Sequence, residues 1–114
     1  MDPVIFYKCL AEETRLRCLM LIEQEHELCV CELVAALAES QPKISRHLAQ
    51  LRAAGVLSDK RQGQWVFYQL NPQLPDWALT VIQQTRLANP SFIAQHSQQL
   101  QAMGSRPQRK LNCC

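Results

Sequence analysis

The sequence predicts a mainly α protein with a small β-hairpin, and three observations carry that expectation. Apolar residues recur at helical spacing through the first half, most clearly at Ile44, Leu48 and Leu51, which stand at i, i+4 and i+7. Residues 56–61 and 65–70 read as two strands around the short loop Gln62-Gly63-Gln64. Asn71-Pro72 then breaks the strand pattern ahead of a further helical stretch. Four helices, a hairpin and a closing helix form the winged helix-turn-helix arrangement, in which the fourth helix enters the major groove of DNA.

Each element has a local cause. Pro3 suits the first turn of a helix over residues 3–10, with Ile5, Phe6 and Leu10 apolar. Residues 12–24 form a second helix with Leu16, Leu19 and Ile22 near helical spacing, and Glu25–Leu28 is a polar break. A short third helix begins at Cys29-Val30-Cys31 and runs through Leu33 and Leu37. Ser40 caps the fourth helix, Pro42 is tolerated in its first turn, and Gly55 ends it. A long helix starts near Pro75, carries Trp77, Val81 and Ile82, and reaches about Leu87; Asn89-Pro90 either kinks or ends it, and residues 91–103 continue the helical pattern. Residues 1–103 are expected to form one domain, and 104–114, polar and basic, a flexible tail ending in Cys113-Cys114.

Composition narrows the function. The chain has 114 residues with 47% hydrophobic and only three glycines, enough for one modest core. Its apolar runs are far short of the roughly 20 residues that span a membrane, and no signal peptide opens it, so a cytoplasmic protein is expected. Net charge is +2 but unevenly spread: residues 1–42 carry eight acids against three Lys/Arg, and residues 43–61 carry five Lys/Arg against Asp59 alone. A basic stripe on a nearly neutral protein suits phosphate contact. On the fourth helix, burial of Ile44, Leu48 and Leu51 leaves Lys43, Arg46, His47 and Gln50 pointing away, and Arg61, Gln62 and Gln64 at the hairpin tip lie along the adjacent backbone or groove.

Six cysteines, at 9, 18, 29, 31, 113 and 114, are many for a cytosolic chain and point to ligand or redox chemistry. Cys9 and Cys18 fall on apolar helix faces and read as packing residues. Cys29 and Cys31 form a pair of soft donors near a helix start, which favours thiolates and a thiophilic ligand. On a regular helix, side chains at i and i+2 point about 200° apart, so chelation by this pair is expected to distort the start of the third helix and tilt the fourth. Cys113-Cys114 supplies a third thiolate, in its own chain or to the other protomer, or chelates an ion alone, or is an inert end of the chain. His26 and His96 read as solvated. Trp65 reads as an anchor of the wing, and Trp77, Val81 and Ile82 as dimer-interface core.

Five segments in order resemble the ArsR/SmtB family of metal-responsive repressors, in its arsenic-sensing branch: Leu10-Ala-Glu-Glu-Thr-Arg-Leu16, Glu27-Leu-Cys-Val-Cys-Glu-Leu33, Ser40-Gln-Pro-Lys-Ile-Ser-Arg-His-Leu48, Leu51-Arg-Ala-Ala-Gly-Val56 and Gln62-Gly-Gln-Trp-Val-Phe-Tyr68. The resemblance covers roughly residues 3–87. It implies a homodimer through the first and last helices, a two-fold symmetric DNA operator, and release when trivalent arsenic or antimony binds cysteine thiolates. It implies DNA contacts from Ser40, Gln41, Lys43, Ser45, Arg46 and His47. The family's arsenic-sensing pattern continues Cys-Val-Cys with a third cysteine three positions on, where this chain has Val34. Arsenite held by three thiolates then needs another donor, for which Cys113 and Cys114 are the candidates; an organic arsenical, already carrying one carbon bond, needs only two.

Two other functions compete with the repressor. One is a DNA-binding regulator that senses oxidation or cadmium instead. The other, a thiol oxidoreductase, fits poorly: the spacing is Cys-x-Cys and no βαβ unit surrounds it, so no enzyme activity and no organic cofactor are expected. A zinc site on the last helix is also not expected, because Asp76 has no histidine two positions on.

Overall fold

The computed structural model describes residues 1–105 and 107–109. Helix α1 (Pro3–Leu10) starts where Asp2 Oδ1 accepts the Val4 N–H at 2.8 Å. Helix α2 (Glu13–Glu25) is capped by Glu12, whose Oε2 accepts the Arg15 N–H at 2.8 Å. Its run from Cys18 to Ile22 is buried on every face, so α2 is the axis around which the other elements pack. Leu33, Ala36 and Leu37 of α3 (Val30–Leu37) and Ile44, Leu48 and Leu51 of α4 (Gln41–Ala53) close the core over it. Gly55, at φ +80°, supplies the left-handed residue just beyond α4.

A strand at Leu28–Cys29, β1, precedes the hairpin strands β2 (Leu57–Gln62) and β3 (Trp65–Leu70). All pairings are antiparallel and the strand order is β1-β3-β2. Leu57 pairs with Leu70 and Gln62 with Trp65, and Gly63 turns the hairpin at φ +63°. Helix α5 (Asp76–Ala88) follows, then a 3₁₀ turn (Pro90–Phe92) and α6 (Ala94–Ala102). This is the winged helix-turn-helix fold expected from the sequence. No described helix is long and apolar enough to cross a membrane.

Three segments depart from expectation or decide an alternative it left open. The polar break before α3 ends one residue early: Leu28 is wholly buried, and with Cys29 it adds a third strand to the wing, too short for a period-2 pattern to reveal. The helical pattern past Asn89-Pro90 is a separate helix that folds back on α3, burying Ile93 and Leu100. His96 is accordingly half-buried instead of fully solvated; its Nδ1 lies 3.0 Å from the Ala36 carbonyl. Within the segment expected to be a tail, residues 107–109 form a helical turn that places Arg109 against the body of the protein.

Candidate functional site

Cys29 ends β1 and is also the N-cap of α3, with extended dihedrals of φ −90° and ψ 167°. Cys31 lies one residue inside the helix. Because Cys29 is not helical, the helical-wheel argument that separates positions i and i+2 does not apply. The two Sγ atoms stand 3.3 Å apart, so they can approach one ion without unwinding α3, contrary to the sequence-based expectation.

The backbone of this corner is held from two sides. Cys29 lies opposite Phe67 in the β1–β3 register, which joins it to the wing. Its N–H donates to Glu32 Oε1 at 3.0 Å, the return half of a capping box. Glu32 is buried, and its other oxygen accepts Arg109 Nη1 at 3.1 Å, with Glu25 Oε1 3.6 Å from the same nitrogen. Arg109 Nε donates to the Gly104 carbonyl at 2.9 Å. A buried carboxylate is tolerable only with such partners. Glu32 and Arg109 were not singled out by sequence reasoning. The S/T-x-x-E capping pattern, with Cys29 in the hydroxyl's place, was the available signal for Glu32; nothing in the sequence marks Arg109.

A cleft of about 530 Å³ opens beside the sulfurs, lined by Cys29, Val30, Cys31, Val34, Gln41, Gln64, Trp65 and Val66. It therefore touches α3, the first residue of α4 and the wing at once. Among the described residues no three His, Cys, Asp or Glu side chains gather as a metal site. Cys113 and Cys114, the candidates for a third thiolate, lie outside the described residues.

The DNA-reading face is only partly as expected. Gln41 and Arg46 on α4, and Arg61 and Gln64 on the wing, are exposed; Ser45 and Gln62 are half-buried. Ser40 Oγ accepts the Lys43 N–H at 3.4 Å, and Lys43 Nζ lies 3.1 Å from Glu39 Oε2. Across the base of the wing, Arg52 pairs with Asp59 at 3.2 Å. His47 does not point away. It is 7% exposed, with Nδ1 3.3 Å from Arg15 Nη1 and Nε2 3.6 Å from Glu12 Oε2. Positions 44, 47, 48 and 51 complete one helical stripe, so the periodicity placed His47 inside; its polarity masked that signal. Gln50 is exposed but engaged, its Oε1 accepting Arg15 Nη1 at 2.8 Å. Arg15 also donates to the carbonyls of Cys9 and Lys8, at 3.0 and 3.3 Å, so one guanidinium ties α1, α2 and α4 together.

Comparisons with known proteins identify the family. Residues 12–59 match the family described as "Bacterial regulatory protein, arsR family". The chain is 53% identical over 112 residues to the arsenic resistance transcriptional regulator ArsR2 of Pseudomonas putida, covering 98% of this chain and 97% of that one. It is 54% identical over 80 residues to the arsenical resistance operon repressor of Escherichia coli, covering 70% of this chain and 68% of that protein. HlyU from Vibrio cholerae superposes with a TM-score of 0.68 at 32% identity, covering 75% of this chain and 89% of that one. The fold, the helix-turn-helix segment and the near full-length relative converge, and the chain belongs to the arsR family of bacterial regulatory proteins, DNA-binding regulators and not enzymes.

Proposed function

We propose that this protein is an arsenic-responsive transcriptional repressor. It binds operator DNA as a homodimer and releases it when the thiolates of Cys29 and Cys31 bond trivalent arsenic or antimony. The observation that carries the effector assignment is the 3.3 Å separation of the two sulfurs. Two metal–sulfur bonds of about 2.3 Å place the sulfurs about 3.8 Å apart at a tetrahedral ion and about 3.4 Å apart at a pyramidal one with angles near ~95°. Either separation is within a side-chain adjustment of the one seen, so both sulfurs can bond one thiophilic ion, and arsenic is favoured over zinc or cadmium by the arsenic resistance regulators this chain is similar to.

The route from effector to DNA is short. Cys29 is in register with Phe67 on β3, and Cys31 shares its cleft with Gln41 of α4 and Gln64 of the wing tip. An ion bonded to both sulfurs ties the end of β1 to the first turn of α3 and stands in the cleft beside Gln41 and Gln64, so it bears on α4 and the wing together. Arg46, Gln41, Lys43 and Ser45 on α4, and Arg61, Gln62 and Gln64 on the wing, are the proposed DNA contacts, with Ser40 fixing the helix start; His47, turned inward, is not among them. The homodimer is supported by the apolar surface of α1 and α5: Val4, Ile5, Tyr7, Trp77 and Leu87 are exposed, and Tyr7 and Trp77 meet Phe6 edge to face. Cys113 or Cys114 remains the proposed third thiolate for arsenite.

The test is fluorescence anisotropy of a duplex taken from upstream of the protein's own gene, titrated with arsenite, antimonite and cadmium. Release by the first two at concentrations where cadmium is inert supports the proposal. Release by cadmium alone, or by none, overturns the effector assignment, and failure to bind any upstream duplex overturns the repressor.

A further inference from the structure

Resting on that reading, we propose that Cys31 and the C-terminal pair Cys113-Cys114 form a thiol–disulfide lock on the effector site, with Arg109 as its positioning residue. Oxidised, Cys31 is bonded to a tail sulfur and the site takes no arsenic. Reduced, the same thiols become its ligands.

Three observations lead to this. First, Cys31 is disulfide-bonded, whereas Cys9, Cys18 and Cys29 are thiols. Of the six cysteines, that leaves Cys113 and Cys114, outside the described residues, as its partners within one chain. Second, Arg109 is 9% exposed and pairs with Glu32, the residue next to Cys31. The tail cysteines follow Arg109 by four and five residues, a length that extends about 13–18 Å and so reaches back to the start of α3. Third, Cys31 is half-buried on the cleft wall while Cys29 is 6% exposed, so an oxidant meets Cys31 first. In a reducing cytosol a disulfide is transient, and one made at a ligand cysteine reports on the oxidant that made it.

The oxidant is a peroxide. The Cys31 thiolate attacks one peroxide oxygen, the O–O bond breaks, and Cys31 becomes a sulfenic acid; the hydroxide released takes up the thiol proton as water. A tail thiolate then attacks that sulfur. The S–S bond forms, the S–O bond breaks, and the oxygen leaves with the second thiol proton as another water. Two thiols and one hydrogen peroxide thus give one disulfide and two waters, each sulfur losing one electron. A cellular dithiol reverses the bond, becoming a disulfide itself as both protein thiols return. While the lock is closed, arsenic cannot be chelated by Cys29 and Cys31 together. The DNA-reading elements are undisturbed: with Cys31 in this bond, Gln41, Arg46, Arg61 and Gln64 are exposed. The oxidised protein therefore keeps its operator and ignores arsenic.

The experiment reduces the full chain with a phosphine, desalts it without air, and treats half with hydrogen peroxide before a second desalting. Alkylation with iodoacetamide and peptide mass spectrometry map the bond. The expected product joins Cys31 to Cys113 or Cys114, and Cys113→Ser/Cys114→Ser removes it. Arg109→Ala moves the last buried anchor among the described residues back to Leu100, lengthening the span to Cys113 from four residues to thirteen. Disulfide closure should then slow about 6-fold, with the alkylation rate of Cys31 in the reduced chain unchanged. Arg109→Lys, which keeps the charge, should recover part of the closure rate; equal slowing of closure and alkylation would leave Arg109 no positioning role. In operator anisotropy the reduced half should release DNA with arsenite, and the oxidised half should need about 100-fold more. A bond between Cys29 and Cys31, or none, would overturn the proposal, as would equal arsenite responses of the two halves. A reduced half that ignores arsenite while the Cys31–tail bond still forms would instead sink the effector reading and leave the disulfide standing.

Discussion

Two pairs of cysteines occupy this fold, and the contrast between them shows what makes a thiol a ligand. Cys18 is wholly buried in α2; burial, and secondarily the Glu12 carboxylate, push its thiol up to about 12. Burial also raises Cys9, against the opposing charge of Arg15. Cys29 is 6% exposed and Cys9 9%, so exposure alone does not separate the pairs. What differs is company. Cys29 and Cys31 put two sulfurs 3.3 Å apart at a helix start, on the wall of a cleft that reaches the DNA-reading elements. Cys9 and Cys18 are core methyl-sized groups that happen to contain sulfur.

The sharpest way to break this contrast is to remove each pair in turn. With Cys29→Ser/Cys31→Ser, operator binding should persist while arsenite-driven release, expected at about 5–150-fold in the parent, disappears. With Cys9→Ser/Cys18→Ala, release should survive in whatever fraction remains folded. Anisotropy titrations of both double variants decide it, and release that survives the first and fails in the second would invert the assignment.

The corner pair differs from the core pair also in how its backbone is held, by the buried Glu32–Arg109 ion pair instead of by apolar packing. Arg109→Ala leaves the Glu32 carboxylate buried with the Cys29 N–H as its remaining partner among the described residues, and should destabilise the fold by about 3 kcal/mol in urea unfolding. Glu32→Gln in the same chain should restore part of that loss, since the orphaned charge is then gone. A double-mutant cycle that shows no coupling would mean the ion pair holds nothing.

The recognition helix carries a smaller version of the same contrast between neighbours. Arg46 is exposed and His47 is enclosed by Arg15 and Glu12. Arg46→Ala should weaken operator binding by about 1–3 kcal/mol without changing the affinity of the free protein for arsenite. His47→Gln should act mainly on stability. Equal losses of DNA affinity in the two variants would show that His47 reaches DNA despite its burial.

Much of this was legible in the sequence because it rests on periodicity and punctuation. The stripe of Ile44, Leu48 and Leu51, the Ser40 cap and the Gly63 turn each follow from a local rule, and the helix-turn-helix and wing follow from their order. The Cys29–Cys31 pair was legible as chemistry but not as geometry. Its rotation out of helical register depends on β1, a two-residue strand that exists only because β3 passes beside it. The same is true of Arg109, which finds Glu32 across 77 positions of sequence, and of His47, whose polarity outweighed its place in the stripe. Local patterns reveal what a segment does alone; these residues are defined by what they meet.

The smallest expected effect tests the inert half of the comparison. Since the folded state holds the Cys18 thiol at about 12 while the unfolded chain releases that proton near pH 9, the unfolded state binds fewer protons between those values. Stability contributed by the neutral buried thiol is therefore full below about pH 9 and falls as pH rises, by at most about 1.4 kcal/mol per pH unit. Cys18→Ala removes the titrating group and should flatten that part of the curve, at the cost of a small cavity that lowers stability at every pH alike. Urea unfolding of both chains at pH 8, 9 and 10 measures the difference in slope. A parent curve no steeper than the variant's would mean that Cys18 ionises as readily folded as unfolded, and the distinction between a core cysteine and a ligand cysteine would then rest on the pairing of sulfurs alone.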